Sequence, residues 1–365
     1  MRVGVRAALW DGVWIDGDVE IVDGRIAELG LAGGARRGVA VPGFVDLQIN
    51  GFAGIDFRTA EADGYRTAAA ALASTGTTAF QPTFYSSTID GYARALRVLG
   101  AVRDDPPHGS RVLGAHLEGP FLSRTWAGAH DPARLIDPDP AVLERLLAAG
   151  PIELMTLAPE LPGAIDLITR LRAWGVRVSM GHTDADVASS RRAAAAGVEM
   201  LTHCWNAHRR FRPRDPGPAA VALLELAPGL ICDRVHVADE TLLLTFASAA
   251  ERLCVVTDAV APAGTDATRW DIDGVQVTIT DGRAQLSDGT LAGSVVTMDR
   301  SLRNLVEIGI EPEVAIRAMS TNPARVARLH PHDLSVGSAA DVVVLDEGWN
   351  VARTIVDGVE VYSSI

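Results

Sequence analysis

The chain runs to 365 residues, long for one ordinary domain and right for an eight-stranded α/β barrel carrying a small appendage. Hydrophobic residues make up 48% and charged residues 22%, a globular balance with ample material for a core. The formal net charge of −13 argues against nucleic acid as a partner, although a local arginine cluster can still receive a small anion. All 33 basic residues are arginine, which excludes a Schiff-base lysine, a lysine general base and a carbamylated lysine bridging two metal ions.

In chain order, residues 1 to about 40 read as short strands joined by the turns Asp11-Gly12, Asp16-Gly17 and Asp23-Gly24. The last 30 residues share that texture, with Asp341-Val-Val-Val-Leu345 and a turn at Asp357-Gly358. These two ends predict one small discontinuous β-sandwich domain, 1–42 plus 333–365, around a barrel domain, 43–332. Inside the barrel the predicted strands are Phe44–Asn50, Thr78–Thr83, Val112–Leu117, Glu153–Ala158, Val176–Met180, Met200–His203, Leu230–Asp233 and Leu253–Thr257. Helical apolar spacing separates them, as in 65–73, 143–149, 165–174 and 242–250. Eight strands with helical crossovers predict a closed (β/α)8 barrel of TIM type. The long loop 119–140 after the third strand is expected to cover the site. After the eighth strand, 270–291 reads as an inserted hairpin, with alternation in Val275-Gln-Val-Thr-Ile279 and a turn at Asp281-Gly282.

Glu118, His182, His203 and Asp258 each sit at the C-terminal end of a predicted barrel strand, the face where such barrels do their chemistry. One carboxylate and two imidazoles suit an open divalent-metal site that keeps a position for water. Asp258, off the metal, is the base such a water needs. His116, two residues before Glu118, reads as a core histidine. Cys204, Cys232 and Cys254 show no paired spacing and read as buried thiols. With no membrane span or apolar leader in view, the expectation is a cytoplasmic protein.

Seven motifs are spread along the whole chain: Pro42-Gly-Phe-Val-Asp-Leu-Gln-Ile-Asn-Gly51, His116-Leu-Glu-Gly-Pro120, Gly181-His-Thr183, Thr202-His-Cys-Trp-Asn-Ala207, Val256-Thr-Asp-Ala259, Leu291-Ala-Gly-Ser294 and Thr321-Asn-Pro-Ala-Arg325. Together and in this order they resemble the amidohydrolase superfamily and, within it, the N-acetylglucosamine-6-phosphate deacetylase family. The resemblance implies deacetylation of an N-acetylhexosamine 6-phosphate such as N-acetylglucosamine 6-phosphate. Asp258 would act as general base and then acid on a metal-bound water. Where the superfamily usually places two histidines for a second ion, this chain has Gln48 and Asn50. Amides are poor ligands for such ions but can hold a water, so one ion per subunit is implied, Zn2+ or else Fe2+ or another first-row metal.

The resemblance also implies substrate contacts from Ala129 and His130, from Asn206 and Ala207, and from Leu291, Ala292 and Gly293. It places Arg214 on the substrate phosphate, and His236 there too, reaching across the interface of a homodimer. Of the four arginines in 209–214, the other three read as a solvated loop face. Two departures fall at the sugar-phosphate end: His208-Arg209-Arg210 stands where the family carries Met-Pro, and Asp233-Arg234 where it carries Asp-Gly. Other readings are the same reaction on an epimer such as N-acetylgalactosamine 6-phosphate, or a catalytically silent barrel that only binds.

Overall fold

The polar residues at the strand ends are brought together by a nearly closed parallel barrel. The computed structural model describes residues 1–32, 37–272, 274–329 and 331–364; the stretch 33–36 of the N-terminal strand region lies outside them. The barrel strands are β1 (Phe44–Ile49), β2 (Thr77–Phe84), β3 (Ala115–Glu118), β4 (Ile152–Leu157), β5 (Arg177–Met180), β6 (Val198–Leu201), β7 (Ala227–Ile231) and β8 (Cys254–Val256). Each pairs in parallel with the next, from β1–β2 round to β7–β8. The seam between β8 and β1 closes just past the strand, where the Asp258 N–H donates to the Gln48 carbonyl (2.8 Å) and the Asn50 N–H to the Ala259 carbonyl (2.7 Å). Three candidate site residues therefore belong to the seam itself.

Local chemistry explains where the intervening helices start. Thr88, Asp139 and Asp186 each accept backbone N–H groups at the first turns of Ile89–Asp104, Pro140–Leu147 and Val187–Ala196. Helix Pro140–Leu147 adds a proline at its first position, where the missing N–H costs nothing. Apolar faces of the helices close over strands that are buried along their whole length, as in β1 and β2. The polar strand residues point inward and bond one another. His116 Nε2 meets Thr156 Oγ1 at 2.7 Å, Thr156 meets Thr202 at 2.7 Å, and Thr202 meets Ser179 at 2.6 Å. His116 is thus a satisfied core histidine.

Strands from both chain ends form one six-stranded sheet in the order Val13–Asp16, Ala7–Trp10, Val39–Pro42, Val342–Leu345, Val351–Val356, Val359–Ser363. A hairpin, Asp18–Val22 with Arg25–Leu31, packs on it through Val19, Ile21, Ile26, Val342 and Ile355. Both residues have positive φ at Asp11-Gly12, Asp23-Gly24, Asp281-Gly282 and Asp357-Gly358, as tight hairpin turns demand. Among the described residues no helix is long and apolar enough to cross a membrane.

The insert after β8 is more than a hairpin. It is a four-stranded antiparallel sheet, β9 (Arg269–Ile272), β10 (Val275–Thr280), β11 (Arg283–Gln285) and β12 (Leu291–Ser294). The last strand is recruited by the barrel rim: the Ser294 N–H donates to the Asp258 carbonyl (2.9 Å) and the Val260 N–H to the Ser294 carbonyl (3.0 Å). Pairing with a distant segment leaves no local alternation to read.

Candidate metal-dependent active site

Glu118 ends β3, and His182 and His203 stand just beyond β5 and β6. Glu118 Oε1 lies 3.2 Å from His182 Nε2 and 3.0 Å from His203 Nε2, and the two Nε2 atoms are 3.0 Å apart. Three ligands at roughly 2.0–2.1 Å from one tetrahedral ion stand about 3.3 Å from each other, so this triangle fits such an ion to within a few tenths of an ångström. His182 Nδ1 donates to the Trp126 carbonyl (2.8 Å), which puts the lone pair on Nε2, facing the triangle. Among the described residues, His203 Nδ1 is buried with no hydrogen-bond partner. The donor set fits a divalent cation.

His182, His203 and Asp258 have φ of +46°, +28° and +49°. Such backbone is left-handed and costs a non-glycine residue on the order of 1–3 kcal/mol, a strain that clusters at functional sites. Asp258 is buried, and its pKa is raised to about 6, first by burial and then by the nearby Glu118 charge. Its Oδ1 accepts from Asn50 Nδ2 (2.7 Å) and Gln48 Nε2 (3.1 Å). The same Gln48 Nε2 also reaches Glu118 Oε1 at 3.2 Å. The amides of Gln48 on β1 and Asn50 just past it therefore bond the carboxylates directly, and Gln48 spans both of them. Beneath them Asp46 accepts the Thr257 hydroxyl at 2.5 Å.

The loop after β3 forms one wall of a cavity of about 570 Å3 that the ligand triangle faces, through Trp126, Gly128, Ala129 and His130. His130 has a ring nitrogen within 4.8 Å of donor atoms on Glu118 and His182, so proximity alone would admit it as a further ligand. Its hydrogen bonding says otherwise. Nδ1 accepts the Ser86 N–H (3.3 Å), which leaves the proton on Nε2, and that nitrogen lies 3.9 Å from Glu118 Oε2. Burial, and then the neighbouring His182, push its pKa down to about 3, so the ring is a neutral donor aimed into the cavity.

Asn206, Ala207, His236, Leu291, Ala292 and Gly293 all line the same cavity. Gly293, at φ +77°, is required there: a Cβ would lie 2.7 Å from Val260 Cγ1 and 2.8 Å from the Asp258 carbonyl oxygen. His236 lines its own chain's cavity, with Nδ1 donating to Asp233 Oδ2 (2.7 Å). Arg214 is exposed and does not line the cavity. Reciprocal bonds between Arg212 and Asp215 (3.0 Å each way) make a tight turn with Arg214 near its tip, and Arg209 braces that turn through Asp215 (2.8 Å).

Of the two departures, Arg234 occupies a glycine-like position, φ +63°, and holds it by pairing with Asp239 (2.7 Å) and Glu307 (3.0 Å). Sequence reasoning missed the Trp126 carbonyl and the Ser86 N–H, because backbone atoms carry no residue signature. It also missed Arg58 and Tyr85, which line the cavity with the guanidinium 3.6 Å from the ring centre. Their separation in sequence offers no spacing to recognise.

Comparison with known proteins agrees with this geometry. Residues 39–361 match the amidohydrolase family. The N-acetylglucosamine-6-phosphate deacetylase of Bos taurus is 35% identical over 88% of this chain and 82% of its own length. The N-acetylgalactosamine-6-phosphate deacetylase of Escherichia coli O157:H7 is 32% identical over 87% and 86%. Among solved structures, a mutant of the Mycobacterium smegmatis N-acetyl-D-glucosamine-6-phosphate deacetylase in complex with N-acetyl-D-glucosamine-6-phosphate is similar at a TM-score of 0.92 and 31% identity. That match covers 100% of this chain and 99% of that one. With barrel, ligand triangle and sequence in agreement along nearly its whole length, the chain belongs to the amidohydrolase family of metal-dependent hydrolases and acts on an amide bond.

Proposed function

We propose that the chain deacetylates N-acetylglucosamine 6-phosphate, giving glucosamine 6-phosphate and acetate. The observation that carries this reading is the convergence of Glu118, His182 and His203, with Asp258 and His130 facing the same cavity. One divalent ion, Zn2+ or else Fe2+ or another first-row metal, would be held by those three side chains and would supply Lewis-acid polarisation and a more acidic water. Gln48 supports a single ion, because its amide already bridges Glu118 and Asp258.

Asp258 takes the proton of the attacking water and passes it to the sugar nitrogen as the amine leaves. Asn50 and Gln48 both engage Oδ1, which leaves Oδ2 for the proton. A buried carboxylate with one oxygen held and one free suits a group that takes a proton and returns it one step later. His130 gives its Nε2–H to the acetyl oxygen, where negative charge develops. Asn206, Ala207 and the paired imidazole of His236 meet the sugar phosphate, and Leu291–Gly293 border the acyl end beside Asp258.

We place the enzyme in the cytoplasm as a homodimer. Leu224 and Leu244 are 68% and 56% exposed on helices Gly217–Glu225 and Asp239–Ala249, an apolar face suited to a second copy. In that arrangement the exposed Arg214 serves the partner's cavity. The Escherichia coli relative supports a second reading, the galactosamine epimer. Acetate release measured side by side on both sugar phosphates tests the two. Turnover of N-acetylglucosamine 6-phosphate at the higher kcat/KM is expected; the reverse order would favour the epimer, and release from neither would end both readings.

A further inference from the structure

The imidazole of His208, at one of the two departures from the family pattern, is buried at 3% exposure on the turn that carries Asn206 and Ala207 into the cavity. Its Nε2 accepts the Trp205 N–H (2.8 Å), and its Nδ1 donates to the Arg209 carbonyl (2.8 Å). A single neutral ring therefore closes the turn on both sides of the two cavity residues.

That turn needs closing. Trp205 and Ala207 have φ of +81° and +47°, in the left-handed region that side-chain-bearing residues seldom adopt. The segment is also tied to the loop after β5: the Arg209 N–H donates to the Thr183 carbonyl (2.9 Å), and Thr183 pairs with His208 as a parallel bridge. Thr183 directly follows His182. On the other side the Trp205 indole donates to Thr245 Oγ1 (2.9 Å), and the Asn206 N–H to the His203 carbonyl (3.0 Å). Hydrogen bonds to the His208 side chain, on either side of Asn206 and Ala207, restrict this backbone.

We propose that His208 is a positioning residue for substrate recognition, holding Asn206 and Ala207 in the conformation that receives the sugar phosphate. This rests on the reading that those two residues meet that ligand. His208 touches no reacting atom, so its loss should weaken binding and spare chemistry.

The test compares His208→Phe, which keeps a ring of similar size and drops both nitrogens, with His208→Gln, which retains an acceptor and a donor. We expect His208→Phe to raise KM for the phosphorylated substrate about tenfold or more while kcat stays within about threefold, with metal content unchanged. His208→Gln should recover KM to within about threefold of the parent. An unchanged KM in the Phe variant, an equal loss in kcat and kcat/KM, or a Gln variant no better than Phe would overturn the proposal. If the Phe variant does not fold, His208→Met is read by the same criteria. A parent enzyme inactive on the sugar phosphate would defeat the functional reading and this inference together. An active parent with an indifferent Phe variant defeats the inference alone.

Discussion

The proposed metal-ligand end of the cavity and its proposed phosphate end are built differently. At the ligand end, Glu118, His182, His203 and Asp258 stand on or just past β3, β5, β6 and β8, and their neighbours hold them: the Trp126 carbonyl turns His182, and Gln48 and Asn50 brace the carboxylates. At the phosphate end, Asn206, Ala207 and His236 ride on loops after β6 and β7, pinned by His208 and Asp233, while Arg214 projects away. Reaction geometry tolerates little displacement and so sits on or beside the ends of barrel strands. Recognition can be rebuilt on loops without disturbing it. Both departures from the family pattern fall at the loop-built end.

The sharpest way to break this contrast is Asp258→Asn. It should lower kcat by about 10²- to 10⁴-fold while metal content is retained. Near-normal turnover would remove Asp258 from proton transfer. At the other end, Arg214→Ala should raise KM for the phosphorylated sugar about tenfold, roughly 1.4 kcal/mol of binding, and leave the unphosphorylated sugar unaffected. Equal effects on both sugars would show that Arg214 does not see the phosphate.

The smallest effect probes the floor of the rigid end. Burial raises the Asp46 pKa from 3.8 to about 7, against the lowering effect of its Thr257 hydrogen bond. The folded state therefore holds this proton more tightly than the unfolded chain. The resulting stability is present in full below the unfolded value and is lost as pH rises through 7. The Tm of the parent minus that of Asp46→Asn should accordingly fall by a few degrees between pH 5 and pH 8. A difference flat across that window would mean Asp46 does not titrate there.

Much of the molecule was legible in the chain. Each of the eight predicted barrel strands has a counterpart, because buried parallel strands read as short apolar runs and the intervening helices show their apolar spacing and caps; the sixth and seventh begin two or three residues earlier than predicted, and the third is broken at 113–114. Asp11-Gly12, Asp23-Gly24 and Asp357-Gly358 form tight turns because that pair accepts positive φ at both positions, whereas at Asp16-Gly17 the aspartate ends its strand and only the glycine takes a positive φ. His182 and His203, the proposed ligands, stand out in the sequence because barrel chemistry gathers at strand ends. The insert was read only in part. Its β10–β11 hairpin alternates, whereas β12 exists because it pairs with the rim at Asp258 and Val260. Arg214 was placed by motif alone, and the Arg212–Asp215 turn carries it out of its own chain's cavity.

By itself the sequence determined the element order, the parallel barrel and the identity of the chemical groups, since these follow from local periodicity, turn chemistry and residue type. Only the tertiary structure decided which nitrogen of His130 and His182 carries a proton, that Gln48 spans two carboxylates, and that His236 faces its own cavity. Those outcomes depend on backbone carbonyls and amides from strands and loops far apart in the chain. Such atoms are alike in every residue, and only folding gives them a place.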